Sequence, residues 1–364
     1  MVEKTEIHAI VTGLLAALLV LAGGCGNGQR QRPAVEPAPE AATESPLEEP
    51  PLAQEPVPAD DRAEGPGIPL KMKFILGQTT GYKVTTETEK SIRWEGDASK
   101  KPKEFKGGAT GNRIEMGFDQ EVLEVKDNGD ALIRVTIKTL AYVGRVRGAV
   151  VLAFDSSNDQ DRQNPMAKLI GQSYTIRMTP RGAISDPVQA EPARQAVQGG
   201  EREHRTALKL LADRVVKERH EVTALAALKA PTARCRDQWS NIERFSFGIL
   251  GEKVYERVYT LDKISETDEA RTAVVRMKGI PSAAMAEELH QAQTANPFAA
   301  MSDSSGTYNG RLELNLDTGQ IGEYIEQMDM QWLLADPVAV QRGDPAPAVL
   351  RMISKQLYKL ERTD

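Results

Sequence analysis

The chain has 364 residues and a formal net charge of −6, and that charge is unevenly placed. Residues 26–68 carry three arginines against nine acids, residues 1–24 carry one net negative charge, and the remainder is close to +1. A near-neutral body lacks the strong basic balance that nucleic-acid binding needs, and two cysteines are too few for a disulfide framework.

At the N-terminus, Lys4 forms a weak positive region blunted by Glu3 and Glu6, and Ala9 to Ala22 is almost wholly apolar. That is the length of a signal-peptide core and short for crossing a bilayer. Leu21-Ala22-Gly23-Gly24-Cys25 resembles the lipobox of bacterial lipoproteins, with Leu21 one place further from the cysteine than in the commonest form. The resemblance implies removal of residues 1–24 and acylation of Cys25 on its thiol and new amino group. It therefore implies a membrane-anchored lipoprotein of the bacterial cell envelope, with inner or outer membrane left open. An ordinary cleaved signal and an uncleaved helical anchor are the alternatives. Stable anchoring needs more than one acyl chain, because each buried CH₂ contributes only ~0.8 kcal/mol. With Cys25 acylated, Cys235 has no intramolecular partner and reads as a small buried hydrophobe, a reactive thiol being the alternative.

Residues 25–68 hold the cysteine and a tether rich in Pro, Glu and Ala, without aromatics after Cys25. Such a stretch buries too little apolar area to offset its ordering entropy, so it is expected to be disordered. Its reach runs from roughly 35 Å as a coil to about 130 Å extended.

Residues 69–364 form the expected β-rich body. Leu70 to Phe74 and Gly81 to Trp94 read as strands, Tyr82 and Val84 alternating with polar neighbours. Lys100, Lys101, Lys103 and Lys106 read as a solvated hairpin loop, with phosphate or lipid head-group binding as the alternative. Asn128-Gly129, between Val122–Val125 and Ile133–Ile137, is a strong hairpin signal because both turn positions tolerate positive φ. A strand at Ala149 to Phe154 is followed by Asp155, Asp159 and Asp161, which lack the Gly and Glu of a calcium loop and read as a polar loop. Tyr174, Ile176 and Met178 alternate into a turn at Thr179–Gly182.

From about 201 to 230 the period changes to helical, through Leu208, Leu211, Val215, Val222 and Leu225, and Pro231 marks the stop. Strand patterns then return. Val274 to Lys278, after a polar turn at 266–269, echoes the Asn128-Gly129 hairpin. Leu312, Leu314 and Leu316, leading into Gly319 and Ile321, echo Tyr174–Met178 leading into Gly182 and Ile184. The expected fold is α+β and mainly antiparallel β. Two related β-meanders, compatible with curved or half-barrel sheets and covering about 70–200 and 235–364, are joined by a central helix. Residues 283–301 read as a short helix plus loop. Met328, Met330, Trp332 and Leu334 share one face of a strand and are either core packing or an apolar ligand face, since Met adapts to varied ligands. Val349, Ile353, Leu357 and Leu360 have helical spacing.

Several short motifs run along the body: Gly81-x-x-Val84, Phe154-Asp155-Ser156-Ser157, Gly171-Gln172-Ser173-Tyr174 with Arg181-Gly182-Ala183-Ile184, Asp237-Gln238-Trp239, Gly306-Thr307-Tyr308 and Asp317-Thr318-Gly319. Together they resemble a family of β-rich exported bacterial proteins of unknown function, many of them lipoproteins. The resemblance covers most of residues 70–362 and implies a strand at 349–360. It departs at Arg236, where a Gly is expected before Asp237. It carries over no catalytic residue.

The mature chain has His204, His220 and His290 but no H-E-x-x-H, paired Cys ligands, G-x-S-x-G elbow or Walker loop. The expectation is a protein with no enzyme activity, cofactor or metal. It would bind a lipid or other hydrophobic ligand, or an envelope protein through an exposed strand, and its oligomeric state is left open. A scaffolding lipoprotein without a small-molecule site is the alternative, and a hydrolase built from dispersed residues a more distant one.

Overall fold

The structure is a computed structural model that describes residues 67–95, 98–101, 103, 105–197, 201–247, 250–267, 270–282, 302–335 and 349–363. The signal, Cys25, nearly all of the tether and the helix expected within 283–301 lie outside these residues. The described strands are β1 (Thr79–Glu95), β2 (Gly108–Val125), β3 (Ala131–Val146), β4 (Ala149–Asp155), β5 (Ser173–Met178), β6 (Ile184–Gln189), β7 (Gln238–Ser246), β8 (Glu252–Glu266), β9 (Arg271–Pro281), β10 (Ser302–Asn315), β11 (Ile321–Ala335) and β12 (Val349–Arg362). They make one mainly antiparallel sheet in the order β6-β5-β3-β2-β1-β12-β11-β10-β9-β8-β7, with β4 paired to β3. The sheet does not close, because β6 and β7 end the order at opposite sides.

The alternating pattern produces this sheet directly. Ile133, Val135 and Ile137 of β3 are buried, and the residues between them face out. There Arg134 meets Glu121 at 3.0 Å and Lys138 meets Asp119 at 3.2 Å across β2. Such exposed pairs fix register more than they add stability, at ~0–1 kcal/mol each. A turn at Asn128-Gly129 joins β2 to β3 as expected, but of the two residues only Gly129 takes positive φ. Gly129 takes φ 87°, and Asn128 Oδ1 accepts from Asp130 N at 3.1 Å.

Residues 70–74 are not a strand. Their backbone hydrogen bonds go to turns: Met72 N donates to Pro180 O at 2.7 Å and Lys73 N to Gly319 O at 3.4 Å. Lys73 Nζ adds bonds of 2.8 Å to the carbonyls of Leu316 and Asp317. The crossing requires Gly319 (φ 69°), where a Cβ would stand 2.3 Å from Lys73 N. Gly182 (φ 74°) plays the matching part in the β5–β6 turn, where a Cβ would stand 2.6 Å from Val222 Cβ. Arg236 adopts φ 72°, the left-handed conformation that the Gly expected at this position takes without strain.

The expected single helix is a broken connector: α1 (Glu191–Ala196), α2 (Glu201–Leu210), α3 (Asp213–His220) and α4 (Thr223–Ala226). The break after α2 is stabilised by two arginines. Arg219 Nη2 donates to Leu210 O at 2.7 Å and Arg194 Nε to Leu211 O at 2.9 Å, which satisfies carbonyls that a continuing helix would use.

The connector also reveals the curvature. β5 and β7 lie nine strand spacings apart in the sheet, about 43 Å if it were flat. Yet His220 bonds Tyr174 of β5, and Ala224 O, four residues on, accepts from Trp239 of β7. The sheet is therefore curled around the connector. Residues 349–360 form β12, as the family resemblance implies and the helical spacing does not. β12 pairs along its length with β1 on one side and β11 on the other, and this two-sided ladder overrides the spacing.

Candidate functional site

The concave face of the curled sheet holds two polar clusters and one apolar stripe. The first cluster is built on inward positions of β8, β10 and β11. The Glu326 carboxylate accepts from Tyr308 OH at 2.5 Å, from Thr223 Oγ1 at 3.0 Å and from Tyr324 OH, and Arg257 Nη1 lies 3.5 Å away. Arg257 is buried and also reaches Glu243 and Asn241, each at 3.0 Å. Tyr259 OH donates to Thr223 Oγ1 at 3.3 Å. Burial first, then the Glu326 charge, pushes the Tyr259 phenol up to about 12 and raises those of Tyr308 and Tyr324 as well. These hydroxyls stay protonated donors at neutral pH, which suits them to hold Glu326.

The second cluster centres on His220. Its Nε2 lies 2.7 Å from Tyr174 OH and its Nδ1 3.2 Å from Gln120 Nε2. Arg219 Nη1 donates to Tyr174 OH at 3.3 Å, and Tyr358 OH donates to Arg219 O at 2.8 Å. Both clusters tie the connector to the sheet. The connector also buries Leu210, Leu211, Val216, Val222, Leu225 and Leu228. That burial is worth on the order of 10 kcal/mol, so the connector is a core element and not a loose cover.

Burial first, then the Arg219 charge, holds the His220 imidazole well below its ordinary 6.5. The fold therefore binds the neutral ring. Its contribution is complete above 6.5 and is lost as pH falls below it, because the unfolded chain takes up the proton first. Denaturation midpoints between pH 7.5 and 5 should show wild type losing up to about 1.4 kcal/mol per pH unit more than His220→Gln. Parallel curves for the two chains would refute this.

Sequence reasoning missed these clusters, although a signal was present. Glu326 occupies an inward position between Tyr324 and Met328, and Arg257 one between Tyr255 and Tyr259; charges at buried positions of alternating strands are rare unless paired.

Met328, Met330, Trp332 and Leu334 lie together on the same inward face of β11, 2, 3, 1 and 8% exposed. Gly306, opposite Met330, makes room for it: a Cβ there would stand 2.4 Å from Met330 Sδ. Tyr255 OH donates to Met330 Sδ at 3.1 Å, and the Phe247 ring lies 4.8 Å from that of Trp332. The Trp332 Nε1–H is buried and has no hydrogen-bond partner among the described residues. The connector's hydrogen bonds to β11 are at Tyr324 and Glu326, before this stripe begins. A cleft of about 420 Å³ lies elsewhere, between the end of the connector and Trp239 at the start of β7, and a cavity of about 30 Å³ lies beside Met72, Tyr82 and Gln120.

Cys25 lies outside the described residues. Cys235 is a free, half-buried thiol. Asp161 accepts from Asp155 N, and Asp155 from Ser157, each at 2.8 Å, so both acids hold local turns. No group of metal-ligating side chains occurs, and no helix is long and apolar enough to cross a membrane, among the described residues.

No family model matches the chain, and no curated protein matches it in sequence. Among solved structures, one of lipid–protein interactions in lipovitellin is 12% identical with a TM-score of 0.36, covering 80% of this chain and 26% of that one. DynF from the dynemicin biosynthesis pathway of Micromonospora chersina is 7% identical with a TM-score of 0.18, covering 86% and 93%. At these TM-scores neither likeness bears on fold or function.

Proposed function

We propose that the chain is a lipid-anchored protein of the bacterial cell envelope that acts by binding. Acylated Cys25 holds it on the membrane, and residues 26–68 space the body from it. The body belongs with the exported β-rich proteins that its motifs resemble, as two divergent meanders sharing one curled sheet. The ligand is a hydrophobic molecule, a lipid or a lipid-like group, taken along Met328, Met330, Trp332 and Leu334. The observation that carries this reading is the Trp332 indole N–H, buried on an apolar, Met-rich stripe without a partner among the described residues. A buried donor left unpaired costs about 1–3 kcal/mol, and a ligand with one acceptor, such as a lipid ester carbonyl, would relieve it. The polar groups deeper in the fold are committed to one another and to the connector, which favours binding over catalysis.

A scaffolding role is the second reading, favoured by the near-complete burial of the same four side chains. Solvent extraction of the purified mature chain carrying Cys25→Ser, which excludes its own acyl groups, separates the two. A lipid recovered in stoichiometric amount is the expected result. Clean extracts from repeated preparations would leave the scaffold.

A further inference from the structure

The lysine-rich loop between β1 and β2 reads in isolation as a solvated turn, but the fold gives it a partner. β2 pairs with β3 up to Gly111 and Arg145, and the β3–β4 turn then folds against the start of β2. Gly148 N donates to Ala109 O at 2.7 Å and Arg147 N to Thr110 Oγ1 at 3.0 Å. One tip of the sheet therefore carries exposed Lys101, Lys103 and Lys106 from the loop and exposed Arg145 and Arg147 from the turn. None of these five cations forms an ion pair among the described residues, whereas Lys83, Arg113, Arg134 and Lys138 along the same strands all do. Residues 96–107 and 145–151 together hold four net positive charges in a body whose total is near +1.

Apolar groups stand among these charges. Val146, Val150 and Val151 are 42, 56 and 38% exposed, and they belong to the same β3–β4 hairpin as the arginines. Trp94 and Phe105 pair at 6.0 Å at the base of the loop, and Lys101 Nζ lies 5.5 Å above the Phe105 ring. The combination is informative. A face for nucleic acid or another soluble polyanion gains nothing from exposed valines, whereas a bilayer takes apolar side chains into its interfacial zone and attracts cations to its head groups.

We propose that the tip formed by residues 98–101, 103, 105–107 and 145–151 docks on an anionic phospholipid surface, the cations facing phosphate head groups and Val146, Val150 and Val151 entering the interface. By its length, the stretch after Cys25 is able to let this tip reach the surface on which the chain is anchored. The contact is separate from the Trp332 stripe and does not rest on the ligand reading.

The test uses the mature chain carrying Cys25→Ser, so that binding is not imposed by acyl groups. It is sedimented with vesicles of phosphatidylcholine alone or with phosphatidylglycerol added. Binding is expected to the mixed vesicles and to weaken strongly in high salt. The triple variant Lys101→Glu, Lys103→Glu, Lys106→Glu should bind at least tenfold more weakly and Val150→Ser, Val151→Ser severalfold more weakly, both with wild-type melting curves since the positions are exposed. Four results would overturn the proposal: no sedimentation with either vesicle, equal sedimentation with both, unchanged binding by the lysine variant, or binding to a soluble DNA duplex as tight as to vesicles and unaffected by the valine substitutions.

Discussion

Arg257→Ala is expected to destabilise the body by about 3–5 kcal/mol, the range for removing one partner from a buried, hydrogen-bonded ion pair. Arg257 is 6% exposed, and it is the cation that faces both Glu326 and Glu243. Without it the Glu326 carboxylate, whose side chain is 13% exposed, keeps only hydroxyl donors from Thr223, Tyr308 and Tyr324 among the described residues. Exposed pairs give the contrast. Arg162 and Asp159 are 74 and 79% exposed, and truncating either should cost well under about 1 kcal/mol. A double-mutant cycle with Glu326→Gln isolates the coupling, which should exceed about 1.5 kcal/mol because the two groups share one cluster. Urea midpoints at constant m-value measure both. A loss below about 1 kcal/mol for Arg257→Ala would show that the cluster is hydrated and that Glu326 does not depend on its buried cation.

Trp332→Ala carries the second large effect, about 3–5 kcal/mol, from lost burial and the cavity left beside Phe247 and Met330. The informative partner is Trp332→Phe. It keeps an aromatic ring in place but removes part of the indole, including the N–H that bonds to nothing within the described residues. Its cost should therefore be well below that of Trp332→Ala, about 1–2 kcal/mol from the smaller ring, part of it offset by loss of the unpaired donor, while any ligand that uses the indole N–H should bind more weakly. A loss for Trp332→Phe as large as for Trp332→Ala would mean that the indole has a partner within the chain, and the argument for a ligand there would fail.

Much of the sheet was legible because its strands alternate cleanly. Tyr82, Val84, Ile133, Val135, Tyr174 and Ile176 are all buried, and the hairpins at Gly129, Gly182 and Gly319 lie where their glycines imply. Local pattern stops short of the pairing of β1 with β12, because those partners are more than 250 residues apart and neither carries a mark of the other. The extended stretch at Met72 and Lys73 looks like a strand because it is straight and half-apolar; what makes it a crossing is the pair of turns it bonds to. The connector reads as one helix because its apolar spacing hardly falters at residue 211, whereas the break depends on Arg194 and Arg219 folding back onto carbonyls.

The candidate site was legible in part. Met328, Met330, Trp332 and Leu334 share a face, as their spacing of two requires, but whether that face meets a ligand or only other side chains is not written in spacing. The polar cluster beside them was visible only as two charges at inward positions. Its partners come from five different elements, β7, β8, β10, β11 and α4, which no local window brings together.

The most direct measurement is native mass spectrometry of the mature chain carrying Cys25→Ser, purified without detergent from a bacterial envelope fraction or its export pathway. Binding along the Trp332 stripe predicts a population heavier than the polypeptide by the mass of one lipid, reduced in Trp332→Phe under conditions where that variant remains folded. A single species at the polypeptide mass, for both chains and across preparations, would contradict it.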